Sequence, residues 1–321
     1  MSLRRKDLPR SVKTARMIPA NAGLHRAYAD KLTGLVRELS DSVTYWLLAE
    51  YRRQLPRVER MEATPVTALT ARPAAEDASP AAEDASPARD LLARLRQQSR
   101  RWRKKFDEKA QAYAAWFAAR ALRTTTAAAR NSLSEAAGFT VPMTMTRNVN
   151  NVVQAVVAEN VNLIKSISSQ YFTEIEGLVL RSVRAGRDIA WLTDELEDRY
   201  GITRRRALTI ARDQNNKASA AIGRARMQDA GVRLGIWRHT SVSRHPRKSH
   251  KAADGLVFDL SEGMLLDGKL IFPGEEINCG CRFEPVIERP GGRTFRRKTI
   301  DYAKAGKEYV DEWKVRMEMD Q

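Results

Sequence analysis

Long stretches of helical hydrophobic periodicity are the feature that most constrains the fold of this 321-residue chain. Residues 145–186 carry the clearest one, because apolar side chains recur at three- and four-residue intervals over many turns. Residues 24–60 and 90–130 repeat the pattern. Each stretch predicts an amphipathic helix with one buried face, and the length of the 145–186 stretch favours a long antiparallel hairpin or a stalk.

Two shorter helices are expected next along the chain. Residues 188–200 are amphipathic and end at Gly201, while Thr203 is a suitable N-cap for a second helix over 204–229. Gly231 follows at the position where a glycine commonly ends a helix. The sequence therefore predicts a break between the two helices.

Helical periodicity stops near Leu234, and short apolar runs then alternate with turn residues. Asp267-Gly268 joins two apolar runs within 264–272, which predicts a hairpin with a type I′ turn. Further strands are expected at 256–258 and 283–287, and a final helix at about 299–318. The predicted fold class is α+β. Long amphipathic helices fill the N-terminal two-thirds, and a compact α+β module with a small antiparallel sheet follows.

Composition changes divide the chain into six consecutive segments. The block AAEDASP occurs twice in tandem within one of them, and its low complexity excludes a packed core there. The segments are a basic flexible arm (1–17), a helical segment (18–61), a low-complexity linker (62–89), a helical hairpin or stalk (90–187), a C-terminal domain (188–290), and a basic loop with a C-terminal helix (291–321).

The chain carries 56 Lys+Arg against 39 Asp+Glu, a formal charge of +17. Such an excess favours a polyanionic partner, and double-stranded DNA bound without sequence preference is the leading candidate. An anionic membrane surface is a weaker alternative, since no stretch approaches the roughly 20 apolar residues of a membrane span. Solvated basic helix faces are a further alternative. The candidate DNA contacts are Arg4, Arg5, Lys6, Arg10, Arg101, Arg103, Lys104, Arg204, Arg205, Arg206, Arg296, Arg297 and Lys298.

Residues 237–287 contain three of the four histidines and both cysteines. His245, His250, Cys279 and Cys281 together form the donor set of a structural zinc site. Their spacing is not that of a known zinc finger, so buried free cysteines and turn-capping histidines are the alternative. A disulfide across one intervening residue would be strained, which favours a reduced pair made in the cytosol. No bound cofactor is predicted apart from this possible zinc.

Two kinds of catalysis remain conceivable for the same segment. A cysteine beside a histidine permits acyl transfer, and His245, His250 and Asp254 are the residue types of a metal-dependent nuclease. Neither is supported by a nucleophile elbow or a His-Glu-x-x-His helix. The sequence therefore predicts a protein that is not an enzyme, and no catalytic residue is assigned.

Three spaced strings in this region are specific enough to suggest a family. They are R-H-P-R-K-S-H-K-A-A-D-G (244–255), G-M-L-L-D-G (263–268) and F-P-G-E-E-I-N-C-G-C-R (272–282). Together they resemble the C-terminal domain of the Mu F-like phage head morphogenesis proteins, minor head proteins related to those of phage SPP1. The stretch 211–214, then 230–232 and Trp237, also resembles the entry into that domain. The motif positions are Arg247, His250, Asp254, Gly255, Pro273, Gly274, Asn278, Cys279 and Cys281.

The resemblance implies a minor head protein of a tailed phage or prophage. Such a protein would be made in the host cytoplasm and would reside in the virion near the portal vertex. Its implied partners are the portal protein, the major capsid or scaffold protein, and packaged DNA. One departure from the family pattern is Gly280, where arginine is usual between the cysteines. The motif residues are then expected to fix a fold rather than perform a reaction.

Overall fold

The computed structural model describes residues 3–8, 12–62, 87–184, 189–240, 246–287, 294–297 and 313–316. Residues 63–86, which include all but the last residue of the tandem repeat, lie outside the described residues. Four long helices dominate the described chain: α1 (Ala22–Glu62), α2 (Pro87–Ala137), α3 (Arg147–Arg184) and α4 (Ile189–Asp229). The α+β class is confirmed, with the helices first and a small antiparallel sheet after them.

The helices form where the periodic apolar residues have a face to bury. Leu35 and Leu39 of α1 are buried, and so are Trp102 and Phe106 of α2. These two aromatic side chains of α2 are therefore core residues rather than an exposed stacking surface. Trp46 is an exception to the pattern, because it remains 49% exposed on α1.

The predicted break before residue 204 is wrong, because α4 runs without interruption from Ile189 to Asp229. The Thr203 hydroxyl donates to the Arg199 carbonyl at 2.8 Å, within the helix, instead of capping a new one. Leu196 and Ala207 are both buried, so the apolar face continues past the glycine. A glycine inside a helix costs only about 1 kcal/mol, which burial of that face offsets.

The chain forms two compact units, and each of them contains parts of the four long helices. One comprises Met1–Ala29, Tyr113–Asn160 and Thr209–Gln321, and the other comprises Asp30–Ala112 and Val161–Leu208. The division of the sequence into six consecutive segments remains a prediction. Among the described residues, no helix is long and apolar enough to cross a membrane.

A four-stranded antiparallel sheet lies in the first unit, in the order β1-β6-β2-β3. Its strands are β1 (Lys13–Thr14), β2 (Leu234–Arg238), β3 (Val257–Asp259) and β6 (Arg282–Ile287). A short helix, α5 (Lys248–Ala252), precedes β3. In the central pairing, Leu234 faces Val286 and Arg238 faces Arg282. The strands predicted near 256–258 and 283–287 are thus confirmed within one or two residues.

The predicted hairpin is confirmed as β4 (Met264–Leu266) and β5 (Lys269–Ile271). Asp267 and Gly268 both have positive φ, 51° and 76°, as a type I′ turn requires. The hairpin packs its buried residues, Met264, Leu266 and Ile271, into the same core that contains the two cysteines.

The N-terminal arm is not a free basic tail over its described residues. Leu3 is buried, β1 pairs with β6, and the Arg5 backbone N–H donates to the Gly255 carbonyl at 2.9 Å. The physical reason is that a sheet edge presents unpaired backbone groups, and the arm supplies their partners.

The predicted C-terminal helix is also corrected where the structure describes it. Trp313–Arg316 is a strand, β8, paired with β7 (Thr294–Arg297), which was expected to be loop. Aromatic and β-branched residue types in both segments, such as Phe295 and Val315, favour strands over helices. The remaining residues of 299–318 lie outside the described residues.

Candidate functional site

The cysteines and two histidines meet at one end of the central sheet. His239 follows β2 directly, His250 lies on α5, and Cys279 and Cys281 lie on the turn before β6. The His250 Nδ1 atom is 3.4 Å from Cys279 Sγ and 3.6 Å from Cys281 Sγ, and the His239 Nδ1 atom is 3.7 Å from Cys281 Sγ. Both cysteines are free and buried, and His250 is only 2% exposed.

Three of the four predicted zinc donors are therefore brought together. The donor atoms of His250, Cys279 and Cys281 all lie within 4.8 Å of one another. His245, the fourth predicted donor, lies outside the described residues. His239 was not in the predicted set, and the strand register explains its position. Arg238 pairs with Arg282, so the next residue along β2 faces Cys281.

The turn that presents the cysteines is held by α4. Asn278 has a positive φ of 58°, a conformation that asparagine tolerates better than most residues. Its backbone N–H donates to Asp213 Oδ1 at 2.6 Å, and its side-chain oxygen accepts from Arg212 at 3.1 Å. The 211–214 stretch and the Asn-Cys-x-Cys motif are far apart in sequence, but they are joined by hydrogen bonds in the structure.

The other motif residues, Gly274, Gly255 and Asp254, hold the segments around the site in place. Gly274 has a φ of +85°, and a Cβ there would lie 2.7 Å from the Ala220 Cβ on α4, so no larger residue fits. The Gly255 N–H donates to the Trp237 carbonyl at 2.9 Å. Asp254 accepts from the His239 backbone N–H at 3.0 Å, which fixes the start of the segment that carries the His239 ring.

A carboxylate lies behind His250. Glu276 Oε2 is 3.1 Å from His250 Nε2 and 2.9 Å from Arg247 Nε. The histidine and glutamate atoms are buried and face each other without the alignment of a hydrogen bond. Arg247 also donates to the Ile277 carbonyl at 3.3 Å. The Arg-x-x-His motif therefore joins α5 to the turn that leads to the cysteines.

The charges around the thiols are unusual for a protein interior. The Cys279 pKa is lowered, mainly because the Cys281 thiol donates a hydrogen bond to it, and the Cys281 pKa is raised for the same reason. Arg282 is buried beside them and donates to the Cys281 carbonyl and to Asn216. Burial lowers the Arg282 pKa, and negative charge on the two cysteines opposes that change. Arg282 thus places a buried cation in the same turn as the two thiols.

The candidate nuclease residues, His245, His250 and Asp254, are not brought together among the described residues. Asp254 is engaged with the His239 N–H, and Arg238 Nη1 lies 4.0 Å from its carboxylate. Among the described residues it is not part of the group of donors around His250. Its observed contacts are those of a residue that positions the chain.

Most of the predicted DNA contacts are exposed where the structure describes their side chains. The exposed ones are Arg4, Arg5, Lys6, Arg101, Arg103, Lys104, Arg204 and Arg205. Arg206 is half-buried and donates to Ser166 at 2.9 Å, which gives it a structural role. Arg10 and Lys298 lie outside the described residues, and Arg296 and Arg297 are placed in β7.

Residues 173–284 match the family described as Phage Mu protein F like protein. This segment is similar to the Mu F-like family. The Mu F-like match begins within α3, earlier than the predicted boundary at 188, and ends in β6. It includes every motif position from Arg247 to Cys281, so the resemblance seen in the sequence is confirmed.

A curated relative from Haemophilus influenzae strain Rd, named only as an uncharacterized protein, is 33% identical over 141 residues. The alignment covers 44% of this chain and 31% of the relative, so the chain spans about a third of the relative's length. No solved structure matches the chain significantly.

Proposed function

We propose that the protein is a minor head protein of a tailed phage or prophage, acting in head morphogenesis and incorporated into the virion. The observation that carries this proposal is the Mu F-like match over residues 173–284. The structure adds support, because hydrogen bonds of the motif residues join segments that are distant in sequence. Arg212, Asp213, Arg247, Asp254 and Asn278 each hold a neighbouring segment in place.

A structural role also agrees with the burial of the group of potential metal ligands found among the described residues. His250, Cys279 and Cys281 are between 2% and 4% exposed, so a polymeric substrate has no access to them. An active site for nucleic acid needs an open cleft that reaches its reacting groups. The protein is therefore proposed to act through binding and assembly.

Incorporation into heads provides the first test. We expect the protein to co-sediment with purified proheads and mature heads from induced cells, because a minor head protein is a component of the particle. The measurement is quantitative mass spectrometry of gradient fractions, and the major capsid protein marks the particle peak. Detection in free protein fractions alone would contradict the proposal.

The portal protein is the proposed docking partner within the head. This finer assignment follows from the family's association with the portal vertex. Cross-linking of intact proheads tests it directly, since links to the portal are expected to outnumber links to the major capsid protein once both are normalised to copy number. Links confined to the major capsid protein would place the protein elsewhere in the shell.

Packaged double-stranded DNA is the second proposed partner, bound through phosphates. The exposed arginines and lysines of the arm and of α2 supply positive charge, and the chain's formal charge is +17. We expect affinity to fall steeply with salt, with the logarithmic slope reduced by about 0.9 for each phosphate contact removed. Sequence preference is expected to be absent, since no groove-reading motif is evident.

Fluorescence anisotropy with duplexes of unrelated sequence, measured over a range of salt concentrations, provides the test. The variant Arg101→Gln/Arg103→Gln/Lys104→Gln is expected to weaken binding and flatten the salt slope. Lys248→Gln/Lys251→Gln/Lys269→Gln removes the same charge from exposed positions outside the proposed contacts and serves as the matched control. Equal losses in both variants would show that net charge alone matters and would remove α2 as the DNA-binding face.

A further inference from the structure

We propose that the protein binds one structural Zn²⁺ ion through Cys279, Cys281 and His250, with His239 as the fourth ligand. This inference goes beyond the proposed head function and does not depend on it. It rests on the distances between the donor atoms, on the groups behind them, and on what the ion would join.

The donor distances match a tetrahedral zinc site. With Zn–S near 2.3 Å and Zn–N near 2.05 Å, sulfur and nitrogen ligands at tetrahedral angles lie about 3.6 Å apart. The three sulfur–nitrogen distances are 3.4, 3.6 and 3.7 Å. A hydrogen bond between one thiol and one imidazole would explain one such distance. It does not explain why two histidines approach the same two cysteines at nearly equal distances.

His239 is the ligand that the fold selects for the fourth position. Its ring nitrogen already lies beside Cys281, and its backbone is fixed by Asp254. It is not within 4.8 Å of every other donor, since the group that meets this limit contains the other three residues. Rotation about its side-chain bonds would close the site, and its half-buried position would screen the ion from water.

The groups behind His250 fit a zinc ligand. Zinc-bound histidines commonly donate their second ring N–H to a carboxylate, which fixes the tautomer and the ring orientation. Here Nδ1 faces the sulfurs, while Nε2 lies 3.1 Å from Glu276 Oε2. Both of these buried atoms lack an aligned hydrogen bond. Zinc at Nδ1 would place the proton on Nε2, on the side that faces this carboxylate.

The electrostatic balance also favours the metal. Two thiolates neutralise the charge of Zn²⁺, and zinc binds cysteine only in the thiolate form. Arg282 is buried beside the pair, and its own hydrogen bonds to Cys281 and Asn216 go to uncharged oxygens. The ion and its two thiolates would together add no net charge to the interior.

Zinc would connect three segments that meet at one end of the sheet. They are the end of β2, the short helix α5 and the turn before β6. His250 and Cys279 are 29 residues apart, and most of the chain between them is turn or two- to three-residue pairing. A metal that closes such a segment limits the freedom of the unfolded chain and adds folding free energy on binding.

Metal content of the full-length protein tests the inference, independently of any virion. After purification under reducing conditions without chelator, elemental analysis is expected to find one zinc per chain. Modification of the two thiols should release that zinc, as followed with a metallochromic dye. Cobalt substitution should give thiolate charge-transfer bands together with the strong visible bands of tetrahedral cobalt. Protein that contains no zinc and shows no tetrahedral cobalt spectrum would overturn the proposal.

Variants then assign the ligands. Cys279→Ser, Cys281→Ser and His250→Ala are expected to abolish zinc retention, and His239→Ala to weaken it and alter the visible cobalt bands. His25→Ala removes a histidine outside the site and serves as the control, with zinc binding unchanged. If His245→Ala impairs binding while His239→Ala does not, the assignment of His239 is wrong.

Glu276→Gln is the most informative change, because it keeps all four ligands and the size of the side chain. Loss of the carboxylate behind His250 is expected to lower zinc affinity by about 10–100-fold, with the cobalt spectrum retained. A competing chelator of known affinity measures the change. Unaltered affinity would contradict a zinc-bound His250 supported by Glu276, and the retained spectrum distinguishes this variant from an unfolded protein.

Discussion

Replacing Trp237 by alanine is expected to lower the free energy of unfolding by about 3–5 kcal/mol, as large aromatic truncations in cores do. Trp237 is fully buried in the core that contains both cysteines. Its ring makes edge contacts with His250 at a centroid distance of 5.3 Å and with Phe258 at 6.0 Å. Truncation would leave a cavity directly beneath α5 and would release His250 from one side.

Urea unfolding followed by circular dichroism measures this loss, as a shift in midpoint at unchanged slope. Trp237→Phe keeps most of the buried volume and should cost clearly less. Trp46→Ala is the matched control, since that indole is 49% exposed and its removal should cost less than about 1 kcal/mol. Similar losses for Trp237→Ala and Trp46→Ala would contradict the role assigned to this core.

The second large effect is expected at Gly274, where alanine should cost about 2–5 kcal/mol. The positive φ of 85° opposes any side chain, at about 1–2 kcal/mol. The added Cβ would also lie 2.7 Å from the Ala220 Cβ and 3.1 Å from Arg282 Nη1. Overpacking of this kind costs about 1–3 kcal/mol, because α4 and the Pro273-Gly274 turn would have to separate.

Gly138→Ala separates the two causes. Gly138 has nearly the same φ, 82°, but a Cβ there meets no atom within 4 Å. Its cost should therefore be the conformational part alone, about 1–2 kcal/mol. The difference between the two unfolding free energies measures the steric part at Gly274. A Gly274→Ala variant as stable as Gly138→Ala would mean that the turn can move away from α4.

The helices and the hairpin could be predicted because their signals are local. Apolar spacing in α1 and α3 and the Asp267-Gly268 pair act within a few residues, whatever the rest of the chain does. The same local signals gave a wrong prediction at Gly201 and Thr203, where a helix break was expected. Burial of the apolar face of α4 stabilises a continuous helix there despite the glycine and the potential capping residue. They also failed at the arm and at Trp313–Arg316, because strand pairing depends on a partner distant in sequence.

By itself, the sequence determined the identity of the site's chemistry and its family. Cys279 and Cys281 are the two cysteines of the chain, and the spaced motifs that contain them and His250 pointed to the similarity with the Mu F-like family. Only the tertiary structure decided which other residues lie beside them. His239 and Cys281 are 42 residues apart, and Asp213 and Asn278 are 65 apart. Strand register and the packing of α4 bring these pairs together, and neither depends on residues near them in sequence.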